Sequence, residues 1–92
     1  MQTDNRHRFV AEVVVTLKPV VNDPQGLVVT EALHSLGYPE VEGTRVGKFI
    51  SLDLGGADET QLRSRVEEMC RRLLCNGVIE DYRFQLHREG VS

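Results

Sequence analysis

Lys18-Pro19-Val20-Val21-Asn22-Asp23-Pro24-Gln25-Gly26 ends an apolar strand and starts a helix within nine residues. Asp23 reads as an N-cap, because its carboxylate can accept from the orphan N–H groups of the first turn. Pro24 falls at the first helical position, where its missing N–H costs nothing and its fixed φ is already helical. Gly26 runs against this pattern. Glycine in a helical turn costs up to about 1 kcal/mol relative to alanine, so its presence there points to the close approach of another backbone or a ligand. The stretch is therefore a candidate contact site as well as a helix start, and the expected neighbour is another subunit.

Upstream, Phe9, Ala11, Val13, Val15 and Leu17 alternate as a strand with one fully apolar face. The other face, Val10, Glu12, Val14 and Thr16, is mixed. Downstream, a helix is expected from about Pro24 to Leu36, with Val29, Ala32, Leu33 and Leu36 on one stripe. Gly37 fits the position after its end, and Pro39 prevents continuation. Residues 40–46 make a weak second strand and 48–54 a third, with Ile50, Leu52 and Leu54 on one face, so the two read as a hairpin. Asp58 with Gln61 is a capping pair for a second helix over 59–75, with Leu62, Val66, Met69 and Leu73 as its apolar stripe. Glu67–Arg71 and Glu68–Arg72 are i,i+4 pairs with the acid placed first, the better order. Asn76-Gly77 ends that helix. Val78 to His87 forms the last strand, with Tyr82, Phe84 and Leu86 facing inward.

The order β-α-β-β-α-β is the split βαβ arrangement, an α+β fold. Right-handed crossovers then put two helices on one face of a four-stranded antiparallel sheet. The opposite face has no cover within the chain, so that face, or an edge strand, is expected to serve self-association.

Ninety-two residues suit a single domain over 1–92, with an ordered core of about 8–87 and tails at 1–7 and 88–92. A chain this short buries proportionally little surface, and oligomerisation is a common remedy. The net charge of −3 argues against a general nucleic-acid binder, which presents a basic face. Met1 to Arg8 is polar, without the apolar core of a signal peptide. No apolar run is long enough to span a bilayer. A soluble cytoplasmic protein without a membrane partner is expected.

The search for chemistry finds no nucleophile elbow and no metal constellation. Cys70 and Cys75 lack the C-x-x-C spacing of redox and zinc sites and read as small core or helix-end residues. Gly43-Thr44-Arg45-Val46-Gly47-Lys48 has the wrong spacing for a phosphate loop, which leaves Lys48 either a solvated hairpin lysine or a phosphate contact. Glu80 and Asp81 sit on adjacent strand positions and point to opposite faces, so a structural or interface role outweighs acid–base work. Lys18 and Asp23 are either a solvated lysine beside an N-cap or a charged pair that meets a partner. The partner-contact candidates are Lys18, Asp23, Pro24, Gly26, Arg45, Lys48, Asp81 and Tyr82, with no catalytic residue, metal ligand or cofactor expected in this chain.

These residues also carry a resemblance. Val15-Thr16-Leu17-Lys18, Asp23-Pro24-Gln25-Gly26, Ala32 through Tyr38, Arg45-Val46-Gly47-Lys48, Met69 through Asn76 and Val78 through Tyr82 together resemble PurS, the small-subunit family of phosphoribosylformylglycinamidine synthase, over roughly residues 9–86. The departures are the extended polar N-terminus, Pro19 and Gly77. The resemblance implies a homodimeric or higher homo-oligomeric subunit of an ATP- and glutamine-dependent ligase of purine biosynthesis. It would join the PurL synthetase, which would hold ATP and Mg, to the PurQ glutaminase and assist ammonia transfer. The rivals are an RNA-binding module, which would need exposed aromatics on its central strands, and a small-molecule-sensing regulatory domain of the same topology.

Overall fold

Strand β1 (His7–Leu17) lies at the centre of the sheet in the computed structural model, which describes residues 7–89. It is flanked by β2 (Lys48–Gly56) and β3 (Glu80–Glu89), both antiparallel to it. The apolar alternation of β1 explains its place. Phe9, Ala11, Val13 and Val15 are at most 2% exposed, whereas the inward residues of the flanking strands, Ile50, Leu52, Leu54, Tyr82, Phe84 and Leu86, are only partly buried. The tails expected at 1–7 and 88–92 fall mostly outside the described residues; His7 opens β1, and Arg88 and Glu89 belong to β3.

Helix α2 (Glu59–Met69) covers the inner face. Asp58 caps it, its Oδ1 accepting from the N–H groups of Thr60 (2.9 Å) and Gln61 (3.3 Å). Val66 and Cys70 are fully buried against the strands. The expected helix over 59–75 changes pitch: residues Cys70–Leu74 form a π turn, closed by the Cys75 N–H donating to the Cys70 carbonyl at 2.9 Å. An i→i+5 turn advances the inward direction by an extra fraction of a residue. The inner stripe therefore runs Leu62, Val66, Cys70, Leu74 and Cys75, and Leu73, expected inside, is 83% exposed. On the outer side Glu67–Arg71 (3.4 Å) and Glu68–Arg72 (3.6 Å) pair as the spacing implied.

The larger correction concerns the first helix and the second strand. Among the described residues the sheet has three strands, ordered β2-β1-β3. Segment 40–46, expected as the fourth, has no ladder partner. Its polar groups bond to the first helix instead. Thr30 Oγ1 donates to Thr44 Oγ1 (2.7 Å), the Val46 N–H donates to Asp23 Oδ2 (2.8 Å), and His34 Nε2–H donates to the Val41 carbonyl (2.7 Å). The segment thus clings to helix α1 (Pro24–Ser35) rather than to β2.

Helix α1 does not lie over the sheet. Gly26 is its one buried residue, and Leu27, Val28 and Leu36 are 61%, 63% and 73% exposed. An eleven-residue strand spans about 36 Å and a twelve-residue helix about 18 Å. The longest dimension of the molecule is 64 Å, which requires the two nearly end to end. The radius of gyration is 18.2 Å, against about 12 Å for a compact chain of this length. Residues 19–46 form an arm: helix α1, the turn at Gly37 with its left-handed φ of 98°, and the returning segment.

Candidate functional site

The antiparallel registers bring the end of β1 beside the starts of both neighbours: Val15 faces Lys48, Leu17 faces Glu80 and Thr16 faces Asp81. The candidate residues Lys18, Asp23, Pro24, Gly26, Arg45, Lys48, Asp81 and Tyr82, scattered in sequence, therefore gather at one end of the sheet, where the arm is rooted. A cleft of about 260 Å³ lies there, lined among others by Val15, Leu17, Asp23, Pro24, Lys48 and Glu80.

Asp23 uses both of its carboxylate oxygens. Its Oδ1 accepts from the Gly26 N–H at 2.9 Å and its Oδ2 from the Val46 N–H at 2.8 Å. The Val46 and Gly26 amides, with the Arg45 charge adding to them, hold its carboxyl below the ordinary carboxylate value. Charge-assisted bonds to two backbone donors favour the ionised form. Lys18 does not pair with Asp23. Its Nζ meets Asp81 Oδ1 at 2.8 Å, with both side chains partly exposed, while its carbonyl accepts from Arg45 Nη2 at 2.8 Å.

Glu80 and Asp81 separate onto opposite sides, as adjacent strand residues must. Glu80 accepts from the Asn76 N–H (2.8 Å) and faces Lys48 (3.7 Å), and Asp81 faces Lys18. The Tyr82 hydroxyl donates to Glu67 Oε2 at 3.1 Å; burial, then this bond to a carboxylate, pushes its pKa up. Cys70 and Cys75 are free, buried thiols, raised first by desolvation and then by Glu67 and Glu80 respectively. Both occupy core positions: the π turn brings Cys75 to the inner face with Cys70, where five residues of regular α-helix would set the two thiols about 140° apart. Among the described residues no three His, Cys, Asp or Glu side chains group as metal ligands, and no helix is long and apolar enough to cross a membrane.

Gly26 is a place of close approach, as its misfit in a helical turn implies, but the neighbour is the chain itself and not another subunit. A methyl group there would overlap the Thr44 carbonyl oxygen and sit 2.9 Å from its carbon and 3.0 Å from Asp23 Oδ2. Three features escaped the sequence reading. One is the Thr30–Thr44 tie, whose only trace is a threonine beside Gly43. Another is Glu67 as the partner of Tyr82. The third is the apolar surface of the arm: the stripe was legible, but it was assigned to the chain's own core. What the cluster does chemically is fix the geometry of an arm with charge-assisted bonds.

Known proteins resemble the chain over this whole framework. The family model described as PurS, phosphoribosylformylglycinamidine (FGAM) synthase, matches residues 10–88. The phosphoribosylformylglycinamidine synthase subunit PurS of Bacillus subtilis is 46% identical over 78 residues, covering 85% of this chain and 92% of its own. The crystal structure of Methanocaldococcus jannaschii PurS superposes with a TM-score of 0.80 at 33% identity, covering 89% of this chain and 99% of that one. A chain of the PurLQS structure from Thermotoga maritima gives 0.79 at 26% identity, covering 86% and 96%. Coverage this high takes in the arm as well as the sheet. The chain belongs to the PurS family.

Proposed function

We propose that this chain is the small subunit of phosphoribosylformylglycinamidine synthase, a ligase of class EC 6.3.5.3 in de novo purine biosynthesis. The observation that carries this is the family match over 10–88. The likeness to a chain of PurLQS supports partners corresponding to PurL and PurQ, and the family match disfavours a small-molecule-sensing domain. In this reading ATP and Mg belong to the large subunit. The small subunit bridges synthetase and glutaminase in the cytoplasm and assists ammonia transfer without catalytic residues of its own. The exposed members of the cluster at the end of the sheet, Pro24, Arg45, Lys48 and Asp81, with the partly exposed Lys18, are its partner contacts.

The arm supports a homodimer. The sheet order β2-β1-β3 is that of a split βαβ fold lacking the strand beside β2, and the inner face carries one helix where the topology calls for two. Each copy also carries an arm on which Leu27, Val28, Leu36 and Tyr38 are exposed. A two-fold exchange, in which each arm seats on the other copy's sheet, satisfies both surfaces and closes the assembly. It would restore the four-stranded sheet with two helices on one face, segment 40–46 of the partner lying along β2.

The test is reconstitution. Purified large subunit and glutaminase are assayed for amidine formation with glutamine and, separately, with ammonium. Omitting this chain is expected to abolish the glutamine-dependent rate and spare the ammonium-dependent one. Equal glutamine-dependent rates with and without it would overturn the proposal.

A further inference from the structure

We propose that Asp23 is the positioning residue of the arm: it sets the angle at which the arm leaves the sheet, and through that angle the strength of self-association. The second clause rests on the homodimer proposed above. A helix cap needs one acceptor oxygen, and Oδ1 on the Gly26 N–H supplies it. Oδ2 does something else. It reaches 23 residues along the chain to the Val46 N–H, joining the outgoing and returning limbs of the arm where they meet the sheet.

A second tie lies beside the first. Arg45 Nη2 donates to the Lys18 carbonyl, while the Lys18 N–H donates to the Ile79 carbonyl at 2.9 Å and its Nζ holds Asp81. The returning limb is thereby linked through Lys18 to the start of β3. Gly26 lets the limbs approach closely enough for Asp23 to span them. Outside this root the described arm has little to hold it, since its apolar side chains are exposed. Without the brace it would sample many directions, and docking would have to remove that freedom. Preorganisation strengthens association by avoiding this cost.

Asp23→Asn separates the two roles. Asparagine caps as well as aspartate, but it turns its NH2 toward the Val46 N–H, so the tie is lost. Asp23→Ser also keeps the cap and is too short to reach Val46; Arg45→Ala removes the neighbouring tie. The measurement is a nitroxide pair at Glu31→Cys on α1 and Gln85→Cys on β3, both exposed positions, with labelled chain diluted into unlabelled chain, alongside the dimer Kd by sedimentation. The native thiols are buried. The expected result is a broadened distance distribution in all three variants and a Kd raised up to about a hundredfold in Asp23→Asn, the scale of two charge-assisted hydrogen bonds, one for each arm of the dimer. Unchanged distributions and Kd values would overturn the proposal. A wild-type chain that stays monomeric would instead sink the homodimer and with it the effect on association, and the distance distribution would still decide whether Asp23 sets the angle.

Discussion

Replacing Gly26 with alanine sets two effects of opposite sign against each other. At a free helical position the change stabilises by up to about 1 kcal/mol, through helix propensity and a less flexible unfolded chain. Here the added methyl meets the Thr44 carbonyl, a backbone group that cannot rotate away, and lies 2.9 Å from its carbon. Forced overpacking costs about 1–3 kcal/mol. Moving Thr44 aside also breaks the 2.7 Å bond between the Thr30 and Thr44 hydroxyls, worth about 1 kcal/mol. The clash wins, and a net loss of about 1–3 kcal/mol is expected, a fall in Tm of roughly 5–20 °C for a domain of this size. The assay is thermal and urea unfolding at fixed chain concentration, because association contributes to apparent stability. Gln25→Ala, exposed one residue earlier, serves as the control and should be neutral. Hydrogen exchange at the Val46 amide should quicken in Gly26→Ala alone. A Gly26→Ala chain that is more stable than wild type, with Val46 still protected, would refute the close-approach account.

Four further outcomes follow from the core, the thiols and the Asp23 cap. Val66→Ala removes two methyl groups from a fully buried site and should cost about 2–3 kcal/mol in urea unfolding. Leu74→Ala should cost more than Leu73→Ala, whose side chain is 83% exposed; the reverse order would mean that the π turn does not redirect the stripe. Cys70, Cys75 and Tyr82 have raised folded pKa values. The unfolded chain therefore gives up these protons first, so their stabilisation is complete below the ordinary thiol value of 9.0 and declines as pH rises above it. Thermal melts should weaken in that range, and Cys70→Ala should flatten the slope. Asp23 has the opposite sign. Its lowered pKa gives stability present above the ordinary value of 3.8 and lost as pH falls through the folded value, and Asp23→Asn should remove that acid-side dependence.

Local chemistry made much of this molecule legible. Asp23 and Asp58 cap helices because a carboxylate one residue before a helix lies within reach of the unpaired N–H groups of its first turn, and the Glu67–Arg71 pair follows from spacing on one helix. The buried face of β1 was legible because alternation over Phe9 to Val15 leaves no other way to hide those side chains. The fate of 40–46 was not, because an extended chain poor in apolar residues goes wherever its polar groups find partners, and these were Asp23, Thr30 and His34. Leu73 was misplaced because a π turn changes the period on which the stripe was counted.

The arm shows where such reading stops. The i, i+3, i+4, i+7 pattern of Val29, Ala32, Leu33 and Leu36 states that this face requires burial. It does not state whose surface buries it, since the same stripe fits the chain's own sheet and the identical sheet of a second copy. What separates the two outcomes is the root. If Asp23 and Arg45 hold α1 in line with β1, the arm cannot fold back over its own strands, and the apolar face is left for a second copy. A short run of polar contacts between Lys18 and Val46 would then decide whether the apolar pattern closes within one chain or between two.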